Sequence, residues 1–432
     1  MTMTEFPTPV VLPRPQHCIS RSLIDPDAVK VMYRLVRNGF KAYLVGGSVR
    51  DLLLGRIPKD FDVATDARPG EMRRLFHNCR IIGRRFRIAH VYFRGNKIIE
   101  VSTFRRDPDE LVPEEQEGQD QAKRGDNTFG HPREDAFRRD LTINGLFYDI
   151  STFSVIDYVG GIADLRARII RTIGEPDERF REDPVRMIRA VRHAARIGFE
   201  IERVTYEAIL RNANLLKVCN ASRLQDELQK DLSAGGLNPV FRLHKETGLM
   251  AAYLTALDRY LDCPERPDAF FKPSWVWKAL SRLDAGMEDP GLTPFFSILC
   301  FLFPLLEEDL LRRHPSLEEA LRDATDVHQA LKQLSSTFGV RRKDQERVST
   351  CWFAFVRMMG TEREGRMPLR FRKKPYFQQV VQFYRFYQAV EGHPEEEISR
   401  GVETALQSDQ TQSRRGRSRR RRRRRTKAPP AL

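Results

Sequence analysis

Between residues 27 and 38 apolar side chains fall at Val29, Met32, Leu35 and Val36, the three-to-four spacing that gathers them on one face of a helix. The next apolar run, Ala42–Val45, is short and continuous, as in a buried strand, and Gly46-Gly47 breaks it. Residues 48–54 return to helical spacing and stop at Gly55, and residues 61–65 read as a second strand. Residues 89–93 and 97–103 are two more strands around a Gly95-Asn96 turn, a hairpin pattern. Residues 105–134 are charged and poor in apolar groups, which predicts a mobile loop. A mixed sheet with flanking helices is therefore expected over residues 26–155, after a loose leader over 1–25. From Pro184 the spacing turns helical and stays so to about residue 400, with no fixed-period repeat.

Charge changes the picture at the end of the chain. The 432 residues carry a net +15, but residues 411–432 hold ten Arg, one Lys and no acid. That tail has +11, so the other 410 residues carry only +4. Like charges repel, which predicts disorder over residues 406–432, and the excess of one sign implies a polyanionic partner, nucleic acid before anionic lipid. Six cysteines lie far apart with no CxxC pair, which argues against a zinc site or a disulfide framework and for reduced thiols in a cytoplasm. No signal peptide is visible, and the apolar stretch over 294–306 is too short and proline-bounded for stable membrane insertion.

The candidate chemistry sits at the glycine break. Leu44-Val45-Gly46-Gly47-Ser48-Val49-Arg50-Asp51 is followed by Lys59-Asp60-Phe61-Asp62-Val63. Glycines between strand and helix let the backbone approach a ligand, and a helix start offers N–H groups to phosphate. Asp60 and Asp62, two apart in a strand, project on one face. Two such carboxylates suit a pair of divalent cations and in-line displacement at phosphorus. Taken alone, the glycines are equally a turn and the aspartates an exposed strand face.

Further motifs follow in order. They are Arg138-Arg139-Asp140-Leu141-Thr142-Ile143-Asn144, Asp157-Tyr158-Val159-Gly160-Gly161 with Asp164-Leu165, Glu182-Asp183-Pro184-Val185-Arg186 with Arg189-Ala190, and Ser222-Arg223 with Glu227-Leu228. With the Gly-Gly and Asp-x-Asp segments, the set resembles the class II branch of the polymerase-beta superfamily, which holds tRNA nucleotidyltransferases and bacterial poly(A) polymerases. Leu141 stands where the family usually has Phe, and Leu224-Gln225-Asp226 replaces its more usual acidic start. The matches cover about residues 40–230.

The resemblance implies an α+β fold: a polymerase-beta-like mixed sheet with helices as catalytic head over 26–155, a helical neck over 156–235, an all-α RNA-binding body over 236–405 and the basic tail. It implies magnesium or manganese at Asp60 and Asp62, and ATP as substrate near Gly46, Gly47, Arg50, Arg139 and Asn144. Asp140 would complete the catalytic carboxylates, against a plain salt bridge to a nearby Arg. Glu100 would be a third metal ligand or an anchor for an Arg. Asp183 and Arg186 would read the edge of the incoming base, with Arg189 beside them, whereas Asp183 before Pro184 is otherwise a helix cap. Arg186, Arg189, Arg192 and Arg196 form a basic stripe, a solvated face or an RNA track.

Two branches of the family share these motifs. Ile81-Ile82-Gly83-Arg84-Arg85-Phe86-Arg87-Ile88-Ala89-His90-Val91 resembles a segment that marks the poly(A) polymerases. Arg84 and Arg85, with Arg419, Arg420, Arg421, Arg422, Arg423, Arg424 and Arg425, are then expected to hold RNA without sequence preference. The expected partners are RNA 3′ ends from mRNA, structured fragments and tRNA, along with RNA-decay proteins. The alternative is a tRNA nucleotidyltransferase adding CCA or its terminal A. The tail and the base-reading motif argue against a small-molecule nucleotidyltransferase. The intact Asp60 and Asp62 argue against an inactive scaffold.

Overall fold

Asp25 accepts the N–H of Asp27 and Ala28 and Pro26 follows it, so α1 (Pro26–Arg37) starts where the apolar stripe begins. Its buried residues Ala28, Val31, Met32 and Leu35 pack across the sheet. The computed structural model describes residues 8–83, 87–106, 129–233, 235–286, 294–321, 323–359 and 377–407. The chain divides into two units, Met1–Ala213 and Asn214–Leu432.

The first unit is built on an eight-stranded mixed sheet. In chain order its strands are β1 (Val10–Leu12), β2 (Ala42–Val45), β3 (Asp62–Thr65), β4 (Cys79–Ile82), β5 (Ile88–Tyr92), β6 (Ile98–Thr103), β7 (Leu146–Asp149) and β8 (Ser154–Asp157). Their spatial order is β1-β8-β7-β2-β3-β6-β5-β4. Within this sheet, among the described residues, β3 and β6 are the parallel pair and the other pairs are antiparallel. One face buries Leu44, Val63, Val91, Ile99 and Val101. The other is covered near β2 and β7 by Phe104, Phe147 and Ala136 and opens to solvent toward β4.

Two expectations change here. Residues 10–12, within the expected leader, pair antiparallel with β8 as an edge strand; three residues among prolines carry no period to read. The expected loop over 105–134 is bounded by a bridge between Arg105 and Phe129 and closes into α4 (Pro132–Phe137). Residues 107–128 lie outside the described residues.

Seven-residue α2 (Gly47–Leu53) follows β2, and α3 (Pro69–Leu75) packs on β4 and β5. After β8 come α5 (Gly161–Ala167), α6 (Pro176–Glu182), α7 (Val185–Ile197) and α8 (Arg203–Asn212). The second unit is helical. It runs through α9 (Ala221–Ser233), α10 (Leu237–Glu246), α11 (Leu249–Tyr253), α12 (Thr255–Leu261), α13 (Pro273–Ala285), α14 (Pro294–Arg313), α15 (Leu317–Ala320), α16 (Ala324–Thr337), α17 (Arg342–Met359), α18 (Phe377–Glu391) and α19 (Glu395–Gln407). Its core is aromatic: Phe271, Trp275, Phe303, Trp352 and Phe355 are fully or almost fully buried. Trp275 and Trp352 are thus packing residues, while Trp277 lies under the Arg242 guanidinium at 4.6 Å.

Candidate active site

Gly46 ends β2 at φ 71° and ψ −137°, a backbone that glycine tolerates and other residues do not. A Cβ there would also sit 3.1 Å from Arg139 Nη1. The turn therefore leaves room for the Arg139 guanidinium. Beside it, β3 places Asp62 opposite Val45, with Asp60 just ahead of the strand. Both aspartates are exposed, while Val63 and Ala64 behind them are fully buried. On the other flank β6 pairs Val101 with Val63, so Glu100 and Asp62, one residue earlier in each strand, are neighbours on the exposed face. Glu100 also faces His90 of β5, with Nε2 and Oε1 3.5 Å apart.

Packed protein around the strand end pushes the Asp62 carboxyl up to about 6. The Glu100 carboxylate adds to this, Arg139 opposes it, and Asp60 adds again. The side chain still touches solvent, so charge there can meet a ligand.

A second cluster is buried. Arg50 Nη1 donates to Asn144 Oδ1 at 2.8 Å, and its Nη2 pairs with Asp51 at 2.7 Å. Asn144 Nδ2 reaches Asp140 Oδ1 at 3.3 Å. Asp140 also accepts the Leu141 N–H at 2.8 Å and pairs with Arg189 Nε at 3.0 Å. Burial alone would raise the Asp140 carboxyl, but Arg189, the Asn144 amide and the Leu141 N–H hold it well below the usual carboxylate range. Asp140 is 6% exposed. The resemblance groups it with Asp60 and Asp62; in the structure its oxygens meet Arg189, the Asn144 amide and the Leu141 N–H. Arg139 bridges the two regions. Its Nη2 pairs with Asp135 at 2.9 Å, and its guanidinium lies 5.3 Å from the Phe147 ring centre.

α6 and α7 meet at Asp183-Pro184. Asp183 closes α6 and Pro184, not Asp183, takes the cap position of α7. Arg186 Nη1 donates to Glu182 Oε2 at 2.6 Å and to the Arg179 carbonyl at 2.9 Å. Arg179 Nη2 donates to the carbonyls of Arg138 and Arg139, both at 2.9 Å. The helix pair is thereby tied to the Arg-Arg-Asp segment. Arg192 is 5% exposed, Arg186 pairs with Glu182, and Arg189 pairs with Asp140 while its side chain stays 40% exposed. The Gly160-Gly161 motif is a packing device. Asp157 accepts four backbone N–H groups, from Val159 to Ile162, and a Cβ on Gly161 would run into the Thr142 carbonyl.

Residues 42–171 match the poly A polymerase head domain, and residues 198–261 match the probable RNA and SrmB-binding site of polymerase A. The poly(A) polymerase I of Escherichia coli O6:H1 is 40% identical over 401 residues, 90% of this chain and 84% of that one. The chain belongs to the poly(A) polymerase family. A CCA-adding enzyme of Geobacillus kaustophilus is 37% identical over 273 residues, 62% of this chain and 65% of that one. Among solved structures, the Bacillus stearothermophilus CCA-adding enzyme in complex with CTP aligns with a TM-score of 0.59 at 26% identity, over 88% of this chain and 83% of that one.

Membership of the poly(A) polymerase family brings a nucleotide substrate and a divalent cation, and the donor set fits. Asp60, Asp62 and Glu100 offer only hard oxygens, and a cation would offset the cost of charge that burial first and the Glu100 carboxylate second impose on Asp62. Among the described residues no three His, Cys, Asp or Glu close into a cage. A small cation such as magnesium needs none, since one or two carboxylates suffice when water and substrate phosphate complete the shell.

His193 and Arg179 escaped the sequence reading. His193 stands 3.2 Å from Arg50 Nη1 and 3.4 Å from Asn144 Nδ2, and burial followed by Arg50 holds the imidazole well below its usual range, so the ring is neutral. Its signal was spacing, since His193 follows Arg186 by two turns and Arg189 by one on α7. Arg84, Arg85 and the arginines from Arg419 to Arg425 lie outside the described residues. Among the described residues no helix is long and apolar enough to cross a membrane.

Proposed function

We propose that the chain adds AMP from ATP, residue after residue and without a template, to RNA 3′ ends, with magnesium held by Asp60 and Asp62. One observation carries this: the likeness to poly(A) polymerase I extends over 90% of the chain, whereas that to the CCA-adding relative stops at 62%. Addition of CCA to tRNA is the second reading, favoured by the alignment with the CTP-bound structure.

In the reaction the RNA 3′-oxygen forms a bond to the α-phosphorus while the bond to pyrophosphate breaks. Asp60 and Asp62 would hold the cation, which when bound would supply charge stabilisation for the attacking and leaving oxygens. Glu100 adds negative charge that strengthens cation binding. Arg139, held by Asp135, offers its guanidinium to the triphosphate. Arg50 and Asp140 fix Asn144 from two sides, so its amide is preset for the ribose. Asp183 and Arg186 match the acceptor and donor of an adenine edge, and Arg179 with Glu182 sets their angle. The body and tail hold RNA, with mRNA ends, structured fragments and tRNA as substrates in a cytoplasm and RNA-decay proteins as partners.

The test presents each labelled NTP with magnesium and an oligo(A) primer. ATP should be used best. Arg186→Ala should lower ATP use and narrow the ATP preference over CTP, since a lost charged hydrogen bond costs about 1.5–3 kcal/mol. Equal use of ATP and CTP by the wild type contradicts the reading. So does an Arg186→Ala enzyme that loses heat stability alone.

A further inference from the structure

The exposed sheet face continues past Glu100. Register puts Arg80 of β4 opposite His90 of β5, and His90 opposite Glu100 of β6, with Asp62 of β3 next in the row. Tyr92 lies opposite Ile98 on the same face. The Arg80 guanidinium sits 5.6 Å from the Tyr92 ring centre, and the His90 ring 6.3 Å from it. Arg80 is exposed, His90 and Tyr92 are half-buried, and Ile82 and Ile98 are exposed at 45% and 40%. At about 4.8 Å per strand, His90 stands roughly 10 Å from Asp62.

The proposed mechanism leaves this surface unused. Its nucleotide-side groups, Arg50, Arg139 and Asn144, lie by β2 and β7, on one side of β3. In-line displacement brings the attacking oxygen in opposite the leaving pyrophosphate. The acceptor strand must then approach over β6, β5 and β4. The surface there suits it: a ring with a stacked guanidinium, an imidazole and exposed apolar side chains form a platform for unpaired bases and a charge for phosphate. Protection of an edge strand explains an exposed Arg80 on β4, but not Tyr92 and His90 one strand further in.

We propose that Arg80, His90 and Tyr92 form the acceptor subsite, which holds the 3′-terminal nucleotides of RNA so that the terminal hydroxyl faces Asp62. The inference rests on the polyadenylation reading for the identity of the acceptor. Its test uses the full chain with magnesium, ATP and an oligo(A) primer. Arg80→Gln and Tyr92→Leu should each raise the primer KM about fivefold or more, the loss expected for one stacked base, and leave the ATP KM in place. Tyr92→Phe, which keeps the ring, should restore primer binding. Arg37→Gln is the matched control, because Arg37 is exposed and lies 6.0 Å from the Tyr33 ring on α1. Primer KM values in Arg80→Gln and Tyr92→Leu equal to that of the control would overturn the subsite. Anisotropy of labelled oligo(A) without ATP repeats the comparison independently of turnover. A wild type that binds the primer but adds no adenylate would sink the polyadenylation reading, while loss of that binding in the two variants would still uphold the subsite.

Discussion

Packed protein at the end of β3, with Glu100 and Asp60 adding to it, disfavours charge on Asp62. Its carboxyl is raised from 3.8 to about 6, so the native state binds this proton more tightly than the unfolded chain does. The associated stability is full below the ordinary value and is lost as pH rises through about 6. Asp62→Asn should therefore melt higher than the wild type at neutral or alkaline pH without divalent cation. Magnesium should shrink that gap, because it stabilises only the wild type. Transfer should vanish in the variant. Equal melting temperatures in metal-free buffer would contradict the raised Asp62 carboxyl. The site residues were legible to unequal degrees for a related reason. Asp62 and Glu100 lie on strands, and Asp60 just ahead of one, in a segment whose alternation shows in the sequence. Asp140, Asn144 and His193 come together through three separate elements, and no spacing reveals which of their atoms meet.

At the scale of elements, α1 is legible in its apolar spacing, β2 in the Gly46-Gly47 break that ends its apolar run, and the β5–β6 hairpin in its Gly95-Asn96 turn. β7 and β8 were missed because each is four residues long and almost wholly buried, so no alternation marks them. α4 was hidden in a charged stretch, and its start rests on Pro132 and on Glu134 accepting the His131 N–H. α14 hides a device of another kind. Glu307 reads as one acid in an apolar run, yet it is 1% exposed and accepts the N–H groups of Phe270 and Phe271 at 2.9 and 2.8 Å. Burial pushes its carboxyl from 4.5 to about 7 against the pull of those two bonds. The folded state thus favours the proton, and its contribution falls as pH rises between those values, by on the order of 3 kcal/mol. Glu307→Gln should remove this slope. The melting-temperature advantage of the wild type over the variant should be largest at acid pH and shrink toward pH 7. A difference that stays constant with pH would show that Glu307 remains ionised in the fold.

At the scale of the whole molecule, charge and chemistry sit far apart in sequence. Asp60 and Asp62 lie in the first unit, and +11 sits in residues 411–432. The tail has no apolar anchor, so as the proposed RNA tether it would act through counterion release, which falls steeply with salt. Deleting residues 411–432 should raise the primer KM and flatten its salt dependence. The rate at saturating primer should hold, because uniform binding does not touch the chemical step. Unchanged primer KM and salt slope would assign the tail to another anionic partner.

The most direct test of the central claim is product length. The wild-type chain, with magnesium and the four NTPs, is offered an unstructured RNA primer and, separately, a tRNA lacking its CCA end. Polyadenylation predicts a long ladder of A residues on the unstructured primer, from ATP alone, and growth on the tRNA that does not stop when its end is complete. Addition that needs CTP, is confined to the tRNA and halts at a completed CCA would contradict it.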